Sequence, residues 1–297
     1  MSSERRPADW LAVSLMVLLC MSWGFQQVTI KIAAAGVSPI MQAGLRSIIA
    51  TMLLLAWAQL RRIGLFGRDG TFASGIVAGA LFAGEFVFIY AGLAYTTASR
   101  MIVFIYLAPC LTALGLQWLV PGERLNPRQW TGVALAFLGM ALAFADGFSA
   151  PRGDTLIGDA FGVIAAALWA ATTVLVRATR LSAASASKTL FYQLTVSAIA
   201  LPAISLVAGE PGITALTPQV VASLAYQGVI VAFASYLIWF WLLTRYLAGR
   251  IAVFSFLTPL FGVAFGVMIL SEPLGAVFVG AAALVAIGIV LVNRPAN

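Results

Sequence analysis

Hydrophobic residues fill this chain in long unbroken runs, and polar residues stand in short clusters between them. A membrane-spanning helix needs about 20 apolar residues. Ten stretches reach or approach that length: about 10–31, 39–60, 71–95, 100–120, 127–145, 157–177, 187–208, 218–243, 250–270 and 275–292. The runs are continuous rather than alternating, which predicts helices and not an outer-membrane barrel. Breaks fall at turn-forming punctuation: Ser38-Pro39, Arg61-Arg62, Thr97 to Arg100, Pro121-Gly122, Pro151 to Asp154, Gly209 to Gly212, Gly249-Arg250 and Glu272-Pro273. The pattern predicts an all-α membrane protein with ten transmembrane helices.

Two of these runs match each other. Arg100 to Leu125 reads RMIVFIYLAPCLTALGLQWLVPGERL, and Arg250 to Leu274 reads RIAVFSFLTPLFGVAFGVMILSEPL. Arg100 meets Arg250, Tyr106 meets Phe256 and Pro109 meets Pro259, each 150 residues apart; Glu123 meets Glu272 after a one-residue slip. A proline inside a helix removes one backbone bond and pushes away the carbonyl four residues back, here those of Ile105 and Ser255. In hydrocarbon such a carbonyl needs protein or a water-filled cavity to receive it. Matched interruptions in two halves of a membrane protein point to a transport site, so Pro109 and Pro259 are candidate kink and gating positions. The plainer reading is a pair of packing kinks.

The repeat reaches further. Trp23-Gly24-Phe25-Gln26-Gln27 aligns with Trp169-Ala170-Ala171-Thr172-Thr173 at an offset of 146, and Lys31 then meets Arg177. The polar segment Asp146 to Asp159 divides the chain nearly in half. The expected organisation is a five-helix unit over 10–145, a linker over 146–156 and a second five-helix unit over 157–292. Five is odd, so the second copy enters the membrane from the opposite side, and the two form inverted repeats. Gly75-xxx-Gly79, Gly158-xxx-Gly162 and Gly262-xxx-Gly266 are small-xxx-small spacings suited to close helix packing.

Composition agrees: 62% of residues are hydrophobic and 9% charged, against roughly 25% charged in soluble domains. The net charge of +7 comes from basic residues scattered singly between apolar runs, which excludes a nucleic-acid surface and suits loop charges that set orientation. With the N-terminus inside, thirteen Lys and Arg fall on cytoplasmic segments, while Lys31, Arg100 and Arg152 fall outside and Arg46 lies within a helix. Both termini are therefore expected in the cytoplasm. Arg5 and Arg6 before LAVSLMVLLC imitate a signal peptide, but no small-residue cleavage site follows and the apolar run continues past Trp23, so an uncleaved first helix is expected. Histidine is absent, and Cys20 and Cys110 both lie inside apolar runs as small core residues. Neither a metal site nor a cofactor is indicated. No GxSxG, Walker loop, HExxH or carboxylate cluster occurs in the sequence, so no catalytic residue is assigned.

Glu85 is the one carboxylate well inside a run. Counted from Thr71 it lies about 21 Å into the membrane, and Arg46, counted from Pro39, lies about 10 Å below the outer edge. The shared depth predicts an Arg46–Glu85 pair. Such charges face a bundle interior or wet cavity; the pair could hold a zwitterionic cargo, Glu85 could exchange protons, or the pair is structural. By offset the mate of Arg46 is Tyr192 and that of Glu85 is Ser235, so a charged subsite is one-sided. Gln26 and Gln27 bind cargo or a neighbouring helix, with Trp169, Thr172 and Thr173 as the mirror site. Trp23, Tyr90, Tyr106, Tyr236 and Trp239 complete the candidate cavity wall, or fill core. Glu123 and Glu272 lie just past helix ends and read as solvated loop charges, with a gate latch as the alternative.

Five-plus-five helices, Trp-Gly early in the first helix, GALFAGEFVFIYAGLAYTTASR before the fourth and the Pro-to-Glu-Leu segment in both halves resemble the EamA-type drug/metabolite transporter superfamily. Within it the chain looks closest to bacterial amino-acid exporters of the YddG type. The resemblance implies export of small organic molecules from the bacterial cytoplasm across the inner membrane, by alternating access and without ATP, with amino acids, aromatic ones included, as cargo. It maps the family's repeated proline segment onto Pro109 and Pro259, and its fourth-helix entry onto Ser99 and Arg100. A fused ten-helix chain holds both halves and can work as a monomer, with a small-molecule substrate and the bilayer as partners. The alternatives are proton-coupled efflux of lipophilic cations and a membrane scaffold or enzyme.

Overall fold

A computed structural model describes residues 5–148, 154–270 and 277–294. Helices dominate it. They are α1 (Trp10–Ala33), α2 (Pro39–Leu60), α3 (Phe72–Leu93), α4 (Ala98–Leu119), α5 (Pro127–Ala143), α6 (Thr155–Ala178), α7 (Ala186–Val207), α8 (Pro218–Arg245), α9 (Ala248–Ile269) and α10 (Phe278–Asn293). Eight of them are long and apolar enough to cross a membrane. The other two fall short of the expected spans: α5 has 17 residues and α10 has 16. Arg152, Glu272 and Pro273 lie outside the described residues.

Local chemistry sets the helix starts. Pro39, Pro127 and Pro218 occupy the first helical turn, where a missing N–H costs nothing. Asn126 and Gln129 form a reciprocal capping box at α5, and the Asp9 side chain caps α1 through Ala12 N–H. Three helices are interrupted. A turn at Tyr106 and Leu107 divides α4 into Ala98–Ile105 and Ala108–Leu119, with Pro109 in the first turn of the second piece. The equivalent stretch of α9 tightens into a 3₁₀ turn over Val253–Phe256, just before Pro259. The middle of α8, Tyr226–Ser235, is π-helical, a widening with no proline to announce it and often found at functional positions.

The packing has a two-fold pattern. α2 packs on α7, and α5 on α10. α3 lies against α6 and α7, as α8 lies against α1 and α2. α1 runs along α9, as α6 runs along α4. Replacing every helix by the one five places on maps this set of contacts onto itself.

Glycines bring several of these pairs together. A Cβ on Gly75 or Gly79 of α3 would stand 2.3 Å from Tyr192 or 2.7 Å from Val196, both on α7. Gly158 and Gly162 of α6 are held equally closely by Thr96 and Phe104. Gly44 of α2 rides against Pro202 inside α7, where a Cβ would meet the proline ring at 2.6 Å. Such contacts favour small residues at helix interfaces in lipid.

Candidate functional site

Eight helices enclose a cavity of about 270 Å³ between the two halves of the chain. Among the described residues, none of its wall comes from α5 or α10. The wall runs from Trp169 and Thr258 near mid-helix to Ile30, Leu93 and Ala98. Those last three sit at helix ends, so the cavity reaches the end of the bundle that holds the last turn of α1.

The candidate residues divide cleanly. From the first half, Trp23, Gln26 and Gln27 of α1, Arg46 of α2, Glu85 and Tyr90 of α3 and Tyr106 of α4 line the cavity. From the second half come Trp169, Thr172 and Thr173 of α6, with Tyr236 and Trp239 of α8. The aromatic members support one another edge to face. Trp23 stands 6.0 Å from Trp239 and 6.3 Å from Tyr236, and Tyr106 stands 5.7 Å from Trp169. Trp23 Nε1 donates to Ser235 Oγ at 2.8 Å, which fixes the indole and gives its polar edge a partner. The turn before Pro109 turns Tyr106 into the cavity wall. Its repeat mate Phe256 is fully buried and packs near Phe137 instead.

Tyr192 is not part of this wall. Its hydroxyl lies 3.1 Å from Thr71 Oγ1, and its ring covers Gly75. The residue after it, Gln193, reaches the cavity. One residue is about 100° of helix rotation, so an offset slipped by one position selects the wrong face of α7. Gln193 carries no motif, and its signal in the sequence was only a polar residue in an apolar run.

The expected Arg46–Glu85 ion pair does not form. Both are buried on the same cavity wall. Arg46 lays its guanidinium over the ring of Phe86, 4.3 Å from its centre, and its Nε and Nη2 meet no acceptor among the described residues. Phe86, next to Glu85 on α3, takes the place a partner would have had. The Thr172 hydroxyl donates back to the Leu168 carbonyl at 2.9 Å, in the manner of hydroxyls inside helices.

Glu123 is not a solvated loop charge. It pairs with Arg177 of α6, and both side chains are 2% exposed. The other Glu123 oxygen accepts from the Gly249 N–H at 3.2 Å, and Arg177 Nη1 donates to the Leu243 carbonyl at 3.2 Å. Arg5 reaches over this pair, donating to the carbonyls of Leu243 at 3.2 Å and Ser182 at 2.8 Å. The pair thus joins α4, α6 and the α8–α9 turn at the end of the bundle that holds Trp10, away from the mouth of the cavity. At the mouth end Arg100 forms a two-pronged pair with Asp159, near the start of α6, and Thr96 donates to the same carboxylate at 2.9 Å. Nothing in the sequence marked Asp159 beyond its place at the edge of the linker.

Comparison with known proteins agrees with this architecture. The model of the EamA-like transporter family matches residues 10–145 and again 156–294. An uncharacterized transporter of Archaeoglobus fulgidus is 30% identical over 265 residues, covering 87% of this chain and 89% of the relative. The Escherichia coli protein named a probable amino-acid metabolite efflux pump is 23% identical over 90% of both chains. A solved crystal structure superimposes with a TM-score of 0.80 at 20% identity, over 96% of this chain and 98% of that one. The chain is a multi-pass membrane protein that belongs to the EamA-like transporter family.

Proposed function

We propose that this protein exports small organic metabolites, amino acids with aromatic ones among them, from the bacterial cytoplasm across the inner membrane. Ten helices cross the bilayer as two inverted five-helix units, with both termini in the cytoplasm. The cavity between the units opens to one side at a time. In this reading the end joined by the buried Glu123–Arg177 pair is the cytoplasmic one, and the cavity opens away from it. No ATP is used, and a single chain supplies both halves.

The observation that carries this reading is a cavity built by both halves, with aromatic walls and buried polar groups, open toward one end and closed at the other by an ion pair. Cargo is small because the space is small. The names of the Escherichia coli relative and of its Salmonella typhimurium counterpart support amino acids among the cargoes. Proteoliposomes holding this protein alone should release preloaded labelled phenylalanine faster than empty liposomes. Equal rates for a full panel of amino acids would reject the reading. Tags in the linker 146–156 should be reached only from outside the cell.

Glu85 supports a second reading, proton-driven efflux of lipophilic cations, because it is a buried carboxylate without an ion-pair partner among the described residues, beside aromatic rings. That reading requires a pH gradient to drive cation uptake into inverted vesicles, and its loss in Glu85→Gln.

A further inference from the structure

Among the described residues the buried charges fall into two groups. Arg177 pairs with Glu123, Arg100 with Asp159 and Lys188 with Asp69. Arg46 and Glu85 are buried as well, at 2% and 8% exposure, yet they stay apart although they share one cavity wall. Burying a charge without a partner is costly.

Several buried amides divide the same way. Gln42 Nε2 donates to the Val37 carbonyl at 2.9 Å, Gln129 Nε2 to the Val292 carbonyl at 2.9 Å, and Gln227 Nε2 to Gln42 Oε1 at 3.3 Å. Gln193 is 0% exposed, and neither its Oε1 nor its Nε2 has a partner. It sits on α7, against α2, in the wall that also holds Arg46. Orphaned buried polar groups are rare in folded proteins and call for an explanation.

The orphaned atoms of Arg46 are Nε and Nη2. These form one edge of the guanidinium, and that edge grips a carboxylate with two parallel hydrogen bonds. The face of the guanidinium is occupied by Phe86 and the Tyr236 hydroxyl contacts the group as well, so the Nε–Nη2 edge remains for a ligand. In this conformation the edge and the Gln193 amide are sealed from solvent, within a wall that lines the cavity.

We infer that Arg46 and Gln193 receive the carboxylate of the cargo while Glu85 receives its ammonium, so that the site selects a zwitterion over any ligand with a net charge. This rests on the export reading above. The wall carries one guanidinium and one carboxyl group, and a zwitterion supplies a counter-charge to each. A lipophilic cation satisfies Glu85 and leaves Arg46 bare; an organic anion does the reverse. The rings of Trp23, Trp239, Tyr106 and Trp169 stand around the remaining space and take the apolar side chain.

The test is a competition series on the full chain in nanodiscs, with labelled phenylalanine displaced by phenylalanine, phenethylamine, 3-phenylpropionate or tetraphenylphosphonium. Phenylalanine should compete at least about 10-fold better than each of the other three, a result that needs no variant to fold. Arg46→Gln and Gln193→Leu should weaken phenylalanine and 3-phenylpropionate and spare phenethylamine. Glu85→Gln should weaken phenylalanine and phenethylamine and spare 3-phenylpropionate. Equal competition by phenethylamine or tetraphenylphosphonium in the parent overturns the inference. So does phenylalanine export that survives unchanged in both Arg46→Gln and Gln193→Leu, and there the export reading stands. If the parent neither binds nor exports any amino acid, the export reading falls; a zwitterion of another kind, taurine or a dipeptide, that binds the parent and loses affinity in Arg46→Gln would still uphold the clamp, and failure of these too would overturn it.

Discussion

Glu123 and Arg177 face each other across the closed end of the bundle, and both side chains are 2% exposed. One comes from the short turn after α4 and the other from the last turn of α6, so the pair ties the first half of the chain to the second. The Gly249 N–H and the Leu243 carbonyl complete the bonding of the two ions. Breaking a buried pair from one side leaves an uncompensated charge, at a cost of about 3–5 kcal/mol. Glu123→Gln should therefore melt well below the parent in detergent. The double variant Glu123→Leu with Arg177→Met should recover most of that loss, because two apolar side chains replace two ions. A double variant no more stable than the single one would show that the pair's geometry, and not its charge balance, holds this end together.

The α5–α10 contact offers a test that leaves the cavity alone. A Cβ on Gly132 would stand 2.7 Å from the Gly288 carbonyl oxygen, and one on Gly288 would stand 2.5 Å from the Gly132 oxygen. Gly132→Leu must push the two helices apart, an overpacking cost of about 1–3 kcal/mol. Neither helix contributes to the cavity wall among the described residues. Cargo affinity per folded molecule should therefore be unchanged while the melting temperature falls. A parallel fall in affinity measured by calorimetry would mean that this pair is coupled to the site.

Trp23 is tied to its position by the bond to Ser235. Trp23→Phe keeps a ring beside Trp239 and loses that bond, which is worth about 1 kcal/mol. Binding should weaken by roughly 5-fold. Ser235→Ala should produce a loss of similar size, since it removes the same bond from the other side. An unchanged affinity in both variants would show that the ring's orientation does not matter to cargo.

The loop over residues 61–71 is held by Asp69. Its carboxylate accepts from Lys188 Nζ at 2.8 Å and from Thr71 Oγ1 at 2.6 Å, and these bonds, Lys188 first, hold it below the ordinary carboxylate range. A carboxylate depressed in the folded state stabilises fully above its unfolded value, and the effect fades as pH falls from there through the folded value. The side chain is 47% exposed, so solvent screens the pair and the effect stays local. Amide exchange in residues 64–71, corrected for intrinsic rates, should be faster in Asp69→Asn at pH 7. The parent should approach the variant only as pH drops below about 4. Matching rates at pH 7 would remove Asp69 as the anchor of this loop.

Apolar run length and punctuation by themselves placed nearly every helix and identified the chain as helical and membrane-embedded, because a residue's preference for lipid is a local property. Most of the cavity wall was also legible: a Trp, a carboxylate or an amide inside an apolar run is costly unless it faces a polar space, so Trp23, Gln26, Glu85 and Trp169 declared themselves. Partner choice was not legible. Phe86 stands where the Arg46–Glu85 contact was expected, Gln193 reaches the cavity in place of Tyr192, and Glu123 finds Arg177 54 residues away. The interruption of α4 was written in Pro109, whereas the π-helical middle of α8 was written nowhere. Each of these depends on the rotation and register of one helix against another. A single residue of slip turns a side chain through about 100°, and only the packing of glycines such as Gly44 and Gly75 against their neighbours decides that rotation.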